Sequence, residues 1–294
     1  MKELIGKKIG AIIVLYNPDK DLIVKILDRI KNQVNDVFIS DNSKSNHEYL
    51  FRKYSNVKYQ YLSGNKGIAT AQNVGIDFFK KNNFDFILFL DQDSIPTQDL
   101  VSKLYHHYTF LNDKFKKVGG IGARPYNRSE NKKYEGSIIK GHKITNNLTE
   151  VSEIISSSSL IPIDVFKKIG GMEDDLFIDA VDFEFCWRAN YIDNLKFFIA
   201  EDVLLSHQLG EGDRFFLYRK VAIPTPFRVY YQIRNYLRLL PRRYVPTYWK
   251  VSNGIKYLIK YFYYPIFISP RKEYFLQMNK GIMDGIKSLG NIKK

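Results

Sequence analysis

Two acidic groupings have the spacing of reactive sites. Asp91-Gln92-Asp93 places two carboxylates one residue apart, directly after the apolar run Phe86–Leu90. Like charges at the end of a buried strand need a counter-charge, and a hard divalent cation bridging to a diphosphate supplies one. The same tripeptide also reads as a turn whose aspartates bond backbone amides ahead of the next helix. The second grouping is Asp179, Asp182 and Glu184 within FIDAVDFEFCWR. If a helix starts near Val181, Asp182 sits in its first turn, where the helix dipole favours a carboxylate. Phe183, Phe185, Cys186 and Trp187 surround these acids with apolar groups, which raises a carboxylate's pKa and suits a general base. His207 follows the apolar stretch Val203–Ser206. A lone histidine is usually structural, and His207 becomes a ligand candidate only if Asp91 and Asp93 hold a metal. Gly64-Asn65-Lys66-Gly67, ahead of a helix, could offer amides to a phosphate. No Gly-rich P-loop or dinucleotide fingerprint occurs, which disfavours ATPase and dehydrogenase readings.

These residues need elements to hold them. Lys8–Leu15 reads as a strand buried on both faces, ending at Tyr16-Asn17-Pro18. Leu22, Ile23, Ile26, Leu27 and Ile30 recur at helical spacing. Val37–Ser40 and Val57–Leu62 are further strands, Ile68–Lys81 a helix, Phe86–Leu90 a fourth strand and Lys117–Ile121 a fifth. Another helix runs from after Pro96 to about Leu111. The stretch from about 125 to 150 reads as a loop or hairpin, Pro162–Gly171 as a short helix and Lys196–Ala200 as a short strand. Alternating strands and helices predict repeated βαβ units and a mostly parallel sheet. Ligands bind at the carboxyl ends of such strands, where Tyr16, Asp41, Asn65 and Asp91 all fall.

Charge divides the chain. Residues 1–211 hold equal numbers of basic and acidic residues, so the net charge of +14 lies wholly in residues 212–294, with 18 of the 44 aromatics. Such a segment seeks a polyanion, either an anionic lipid surface or nucleic acid, unless it is a solvated face packed on the main domain. The single cysteine, Cys186, excludes a disulfide framework. No apolar run approaches the roughly 20 residues of a membrane span, and the first residues lack a signal-peptide pattern. The expected setting is the cytoplasm, with the chain soluble or peripheral to a membrane.

The sequence resembles the inverting family-two glycosyltransferases of the GT-A fold, most closely bacterial rhamnosyltransferases that use dTDP-L-rhamnose. The likeness rests on VLYNP (14–18), SDNSKSN (40–46), GNKGIATAQNVGI (64–76), FLDQDS (89–94), FIDAVDFEFCWRA (177–189) and SHQLG (206–210). It implies an α/β GT-A fold for residues 1–211, with 212–294 as a basic, aromatic helical extension for membrane or acceptor docking. It further implies that Asp41 bonds the nucleobase beside Tyr16 and Pro18, that Asn65, Lys66, Asn73 and Gln92 lie near the nucleotide, and that Gln72 follows on the helix. Asp91 and Asp93, with His207, would hold Mg²⁺ or Mn²⁺, with Asp93 also touching the donor. Asp182 would be the general base, Asp179 and Glu184 would position acceptor or base, and Ser156 to Ser159 would lie beneath the sugars. The implied acceptor is a glycan on undecaprenyl diphosphate at the inner membrane face, in O-antigen or capsule synthesis. UDP-sugar donors are the alternative within the fold. Nucleic-acid binding through the basic segment and nucleotide-sugar pyrophosphorylase chemistry are the alternatives outside it.

Overall fold

The structure is a computed structural model that describes residues 6–127, 132–133, 141–207, 213–216 and 219–290. Its first half alternates β1 (Ile9–Leu15), α1 (Lys20–Ile30), β2 (Asp36–Asp41), β3 (Val57–Tyr61), α2 (Ile68–Lys81) and β4 (Phe86–Asp91). There follow β5 (Ser94–Ile95), α3 (Leu100–Phe115), β6 (Val118–Asn127), β7 (Lys132–Lys133), β8 (Gly141–Thr145) and β9 (Leu148–Val151). Next come β10 (Ser159–Pro162), α4 (Ile163–Ile169), α5 (Val181–Asp193), β11 (Lys196–His207), β12 (Asp213–Phe216) and β13 (Arg219–Ala222). Three helices end the described chain: α6 (Pro226–Leu239), α7 (Thr247–Phe267) and α8 (Arg271–Gly290).

The central sheet has the order β3-β2-β1-β4-β10-β6-β11-β9-β8. Its first four strands are all parallel, as expected for βαβ units. Strand β10 then enters antiparallel to both β4 and β6, and the far side is mixed. Pairing direction is not written in a buried strand's own apolar run, so the sequence could not show this reversal. Alternation along the strands divides the core into two layers. Ile9, Ala11, Ile13 and Leu15 of β1 face α1 and α3, whereas Ile12 faces the layer that contains α2, α4 and α5.

The stretches read separately as Lys196–Ala200 and Val203–Ser206 form one strand. Its register on β6 breaks between Ala200 and Leu204. The intervening acids have partners there: Glu201 accepts from Thr149 Oγ1 at 2.9 Å, and Asp202 lies 2.9 Å from His107 Nε2. An acidic pair inside an apolar strand thus marks a bulge and not a strand end.

The helices α6, α7 and α8 gather around Val229, Ile233, Tyr264 and Met278 as a third cluster. Leu239, Val245 and Trp249 pack instead into the layer beneath the sheet, which ties this segment to the α/β unit. No helix among the described residues is long and apolar enough to cross a membrane.

Candidate active site

The carboxyl ends of β1, β2 and β4 form one rim, and most of its polar side chains are already engaged. Gln92 grips the backbone of Tyr16 at both ends: its Oε1 accepts from Tyr16 N at 2.8 Å and its Nε2 donates to Tyr16 O at 3.1 Å. That leaves the Tyr16 ring exposed and oriented. Asp41 is fully buried and accepts from Ser43 N at 2.9 Å and Tyr59 OH at 2.7 Å, with His47 Nδ1 at 2.9 Å. Burial pushes its pKa up, but these hydrogen bonds hold it below the usual carboxylate range. Asp41 therefore shapes the loop at residues 42–47. His47 and Tyr59 carried no sequence signal of this role.

The Gly64–Gly67 loop is pinned to β2 by Asn42, whose Nδ2 donates to Gly67 O and whose Oδ1 accepts from Lys66 N, each at 3.0 Å. Asn65 Oδ1 accepts from Gly67 N at 3.0 Å. Gly67 has φ +88° where a Cβ would strike Phe177, so only glycine permits this close approach. The side chains of Asn65 and Lys66 stay exposed at the rim. Asn73 points elsewhere: it donates to Met172 O and Asp174 Oδ1 and accepts from Met172 N, all at 2.8 Å. It clamps α2 to the segment before α5. Gln72 is buried, and its Oε1 has no partner among the described residues.

Asp182 occupies the first turn of α5. Its Oδ2 accepts from Ser156 N at 3.1 Å and its Oδ1 from Phe183 N at 3.0 Å. Burial raises its pKa to about 6 against these two bonds, and the negative charge of Asp91 adds to the rise. Ser158 N donates to Phe89 O at 2.7 Å, so the serine turn sits at the end of β4. Ser157 and Ser158 keep buried hydroxyls with no partner among the described residues. Asp179 is held bidentately by Arg228 of α6 at 3.0–3.1 Å, and the charges of Asp182 and Asp91 also reach that guanidinium. The structure thus groups Asp91, Asp179, Asp182 and Arg228.

Glu184 is excluded from this group. It is fully buried and bound by Arg188 at 2.8 Å and Tyr244 at 2.8 Å, with Arg242 at 3.5 Å. Helix α5 turns Glu184 away from the rim and into the interface with residues 239–249. Its partners Arg242 and Tyr244, like Arg228, lie in the segment where composition alone indicated surface charge.

Residues Phe177, Asp179 and Ala180 have φ of 64°, 65° and 62°. Non-glycine residues in this region are strained by about 1–3 kcal/mol each and persist only when well held. Asn235 of α6 does the holding: its Nδ2 donates to Leu176 O, Ile178 O and Asp179 O at 2.7–2.9 Å. Phe177 also stacks on Tyr231 with centroids 4.6 Å apart, and its carbonyl accepts from Ile68 N at 2.7 Å.

For a divalent cation, Asp91 ends β4 and Asp93 stands exposed two residues on. Strand β5 pairs Ser94 with His207 of β11, which sets the backbone of His207 across from this acidic turn. The side chain of His207 lies outside the described residues. Among the described residues no three His, Cys, Asp or Glu are grouped to hold a metal ion, and Asp91 and Asp93 supply only hard carboxylate oxygens of the kind Mg²⁺ or Mn²⁺ takes.

The sequence profile of glycosyl transferase family 2 matches residues 11–170. The dTDP-rhamnosyl transferase RfbF of Shigella flexneri is 29% identical over 298 residues, 97% of each chain. S. aureus TarS residues 1–349 in complex with UDP-GlcNAc superposes with TM-score 0.58 at 16% identity, covering 96% of this chain and 81% of that one. The chain spans 49% of a longer S. aureus TarS chain. GalNAc-T7 with UDP, GalNAc and Mn²⁺ superposes with TM-score 0.58 at 13% identity, covering 97% of this chain and 57% of that one. The fold is GT-A, with a central mixed sheet flanked by helices, and by the matched residues the chain belongs to glycosyl transferase family 2: it is a glycosyltransferase.

Proposed function

We propose that the chain transfers L-rhamnose from dTDP-L-rhamnose, with inversion, to a hydroxyl of a lipid-linked glycan in the synthesis of a cell-surface polysaccharide. The end-to-end similarity to a dTDP-rhamnosyl transferase supports the donor. The chemistry rests on one observation: Asp182 stands at the carboxyl edge of the sheet with a pKa raised to about 6 and, among the described residues, only backbone donors as partners. Such a carboxylate is ionised at neutral pH yet basic enough to take a proton. It removes the acceptor hydroxyl's proton as that oxygen attacks the anomeric carbon, and no covalent intermediate is needed. Asp179, fixed by Arg228, faces the incoming acceptor.

Tyr16 and Pro18 line the base pocket, and Asn65 and Lys66 stand beside the phosphates. Asp91, Asp93 and His207 would hold Mg²⁺ or Mn²⁺, which when bound supplies charge neutralisation for the departing diphosphate. The Arg228 guanidinium lies in the field of the same carboxylates and limits their mutual repulsion.

The acceptor reading places the enzyme on the inner membrane surface. Helix α7 supports it, because Ile255, Leu258, Ile259, Phe262 and Ile266 recur at helical spacing and each is more than half exposed. The surrounding segment carries the whole +14 net charge, and a Lys or Arg near an anionic leaflet contributes about 1 kcal/mol. Nucleic acid is not the expected partner.

The test is donor binding by calorimetry in Mn²⁺, comparing dTDP-rhamnose with UDP-sugars on wild type and Asp93→Ala. The expected result is selective binding of dTDP-rhamnose that weakens at least tenfold in Asp93→Ala. Preference for a UDP-sugar would transfer the reading to a hexosyltransferase of the same fold.

A further inference from the structure

A cavity of about 140 Å³ lies where the start of α5 meets α6 and α7. Asp179, Ala180 and Phe183 form one wall, so the cavity is flanked by residues on either side of Asp182 in sequence. A cavity of roughly 150 Å³ accepts benzene, so there is room here for one six-membered ring.

The rest of the lining comes from the C-terminal helices and has a mixed chemistry. Tyr236 stands with its ring centroid 5.8 Å from Trp249 and 5.2 Å from Tyr257, which makes an aromatic surface. Two amides are each fixed at one end only. Gln232 Oε1 accepts from Lys260 Nζ at 2.9 Å, and Asn253 Nδ2 donates to Trp249 O at 3.0 Å. Among the described residues, Gln232 Nε2, Asn253 Oδ1 and the Tyr257 hydroxyl make no hydrogen bond. Among the described residues the lining contains no lysine or arginine, and its one acid, Asp179, is neutralised by Arg228. A phosphate would find no cation there. Oriented amide atoms and a phenol around an aromatic plate suit a neutral ring with an apolar C–H face and a rim of hydroxyls. Burial lowers Lys260 to about pKa 8, which marks the region behind Gln232 as poorly hydrated.

We propose that this cavity is the subsite for the sugar ring of the acceptor, a neutral pyranose seated on Tyr236, Trp249 and Tyr257 and bonded by Gln232 and Asn253. The assignment rests on the reading of Asp182 as the base, because it delivers a ring hydroxyl to that carboxylate's helical turn. It makes residues outside the matched span 11–170 determine which acceptor is used.

The experiment is saturation-transfer NMR on the full chain with dTDP present. The probes are the methyl glycosides of α-L-rhamnose, α-D-glucose, β-D-galactose and N-acetyl-β-D-glucosamine. Wild type is compared with Asn253→Ala and Tyr257→Phe, two substitutions that a helix tolerates and whose folding is checked by melting temperature. At least one glycoside is expected to receive saturation, and its signal to fall at least fivefold in both variants, while calorimetric dTDP affinity stays within twofold of wild type. A glycoside signal unchanged in both variants, or no signal from any probe while dTDP binds, overturns the subsite. A chain that binds a glycoside through Asn253 and Tyr257 but does not bind dTDP sinks the donor reading alone.

Discussion

Two acids on one helix, Asp182 and Glu184, sit two residues apart in opposite environments. The rim region around Asp182 leaves a carboxylate with, among the described residues, backbone donors only, beside a second negative charge. The interface region around Glu184 surrounds a carboxylate with two guanidiniums and a phenol. Burial differs too, complete for Glu184 and partial for Asp182, but it does not explain the contrast. What separates them is the supply of cations: residues from the C-terminal segment neutralise Glu184 and Asp179 but make no bond to Asp182. Reactivity in this molecule is created by withholding a partner, and stability by providing one.

Exchanging the two carboxylates' neutral forms breaks the comparison most sharply. Asp182→Asn should reduce turnover about 10²–10⁴-fold, the usual contribution of a general base. Donor affinity measured by calorimetry should change little, and a large loss of binding would remove Asp182 from the catalytic role. Glu184→Ala should do the reverse. Removing one member of a buried charged cluster costs about 3–5 kcal/mol, read as a lower urea midpoint, with donor-site chemistry intact in whatever fraction stays folded.

The pH dependence sharpens the contrast. Turnover limited by Asp182 should fall as pH drops through about 6, because the acid form cannot accept a proton. Stability runs the other way. The native pKa lies above the ordinary 3.8, so the folded state holds the proton more tightly. This stabilisation is complete below the ordinary value and gone once pH passes about 6. Asp182→Asn should therefore be more stable than wild type at pH 7–8, by on the order of 1 kcal/mol, and should lose that advantage at pH 4. Equal melting temperatures at both pH values would contradict the raised pKa.

The smallest effect expected lies outside both regions. Replacing Leu258 and Phe262 of α7 with serine should weaken binding to anionic vesicles several-fold without changing donor affinity, and rising salt should weaken wild-type binding. Indifference to both salt and substitution would count against the membrane reading.

The parallel half of the fold was legible because apolar runs and helical periodicity are local. Ile68–Lys81 is the helix its spacing predicts. The reversal at β10 and the bulge in β11 depend on partners distant in sequence and left no local mark. The site was legible as a set of residue types but not as a set of roles. Asp41, Asn73 and Gln92 are polar residues at strand and helix ends, which sequence reads as ligand contacts, yet each spends its hydrogen bonds on the chain itself. Arg228, Arg242 and Asn235 went unnoticed because they lie in a basic, aromatic tract where any single cation or amide looks like surface. One signal was available for Arg228: a charged side chain on a helix that also buries Val229 is poorly placed to be wholly solvated, whereas Arg242 lies in the turn after that helix.

The three hydrogen bonds from Asn235 have a consequence for modularity. They cross from the basic, aromatic part of the chain to the backbone that aims Asp182, so the break in composition near residue 211 is not a seam along which parts can be exchanged. Grafting the C-terminal helices of a relative onto residues 1–211 would change more than the acceptor or the membrane contact. Unless the donor of that segment supplies an amide at the same place, the Phe177–Ala180 turn would relax to ordinary backbone angles and the catalytic helix would start from a different direction.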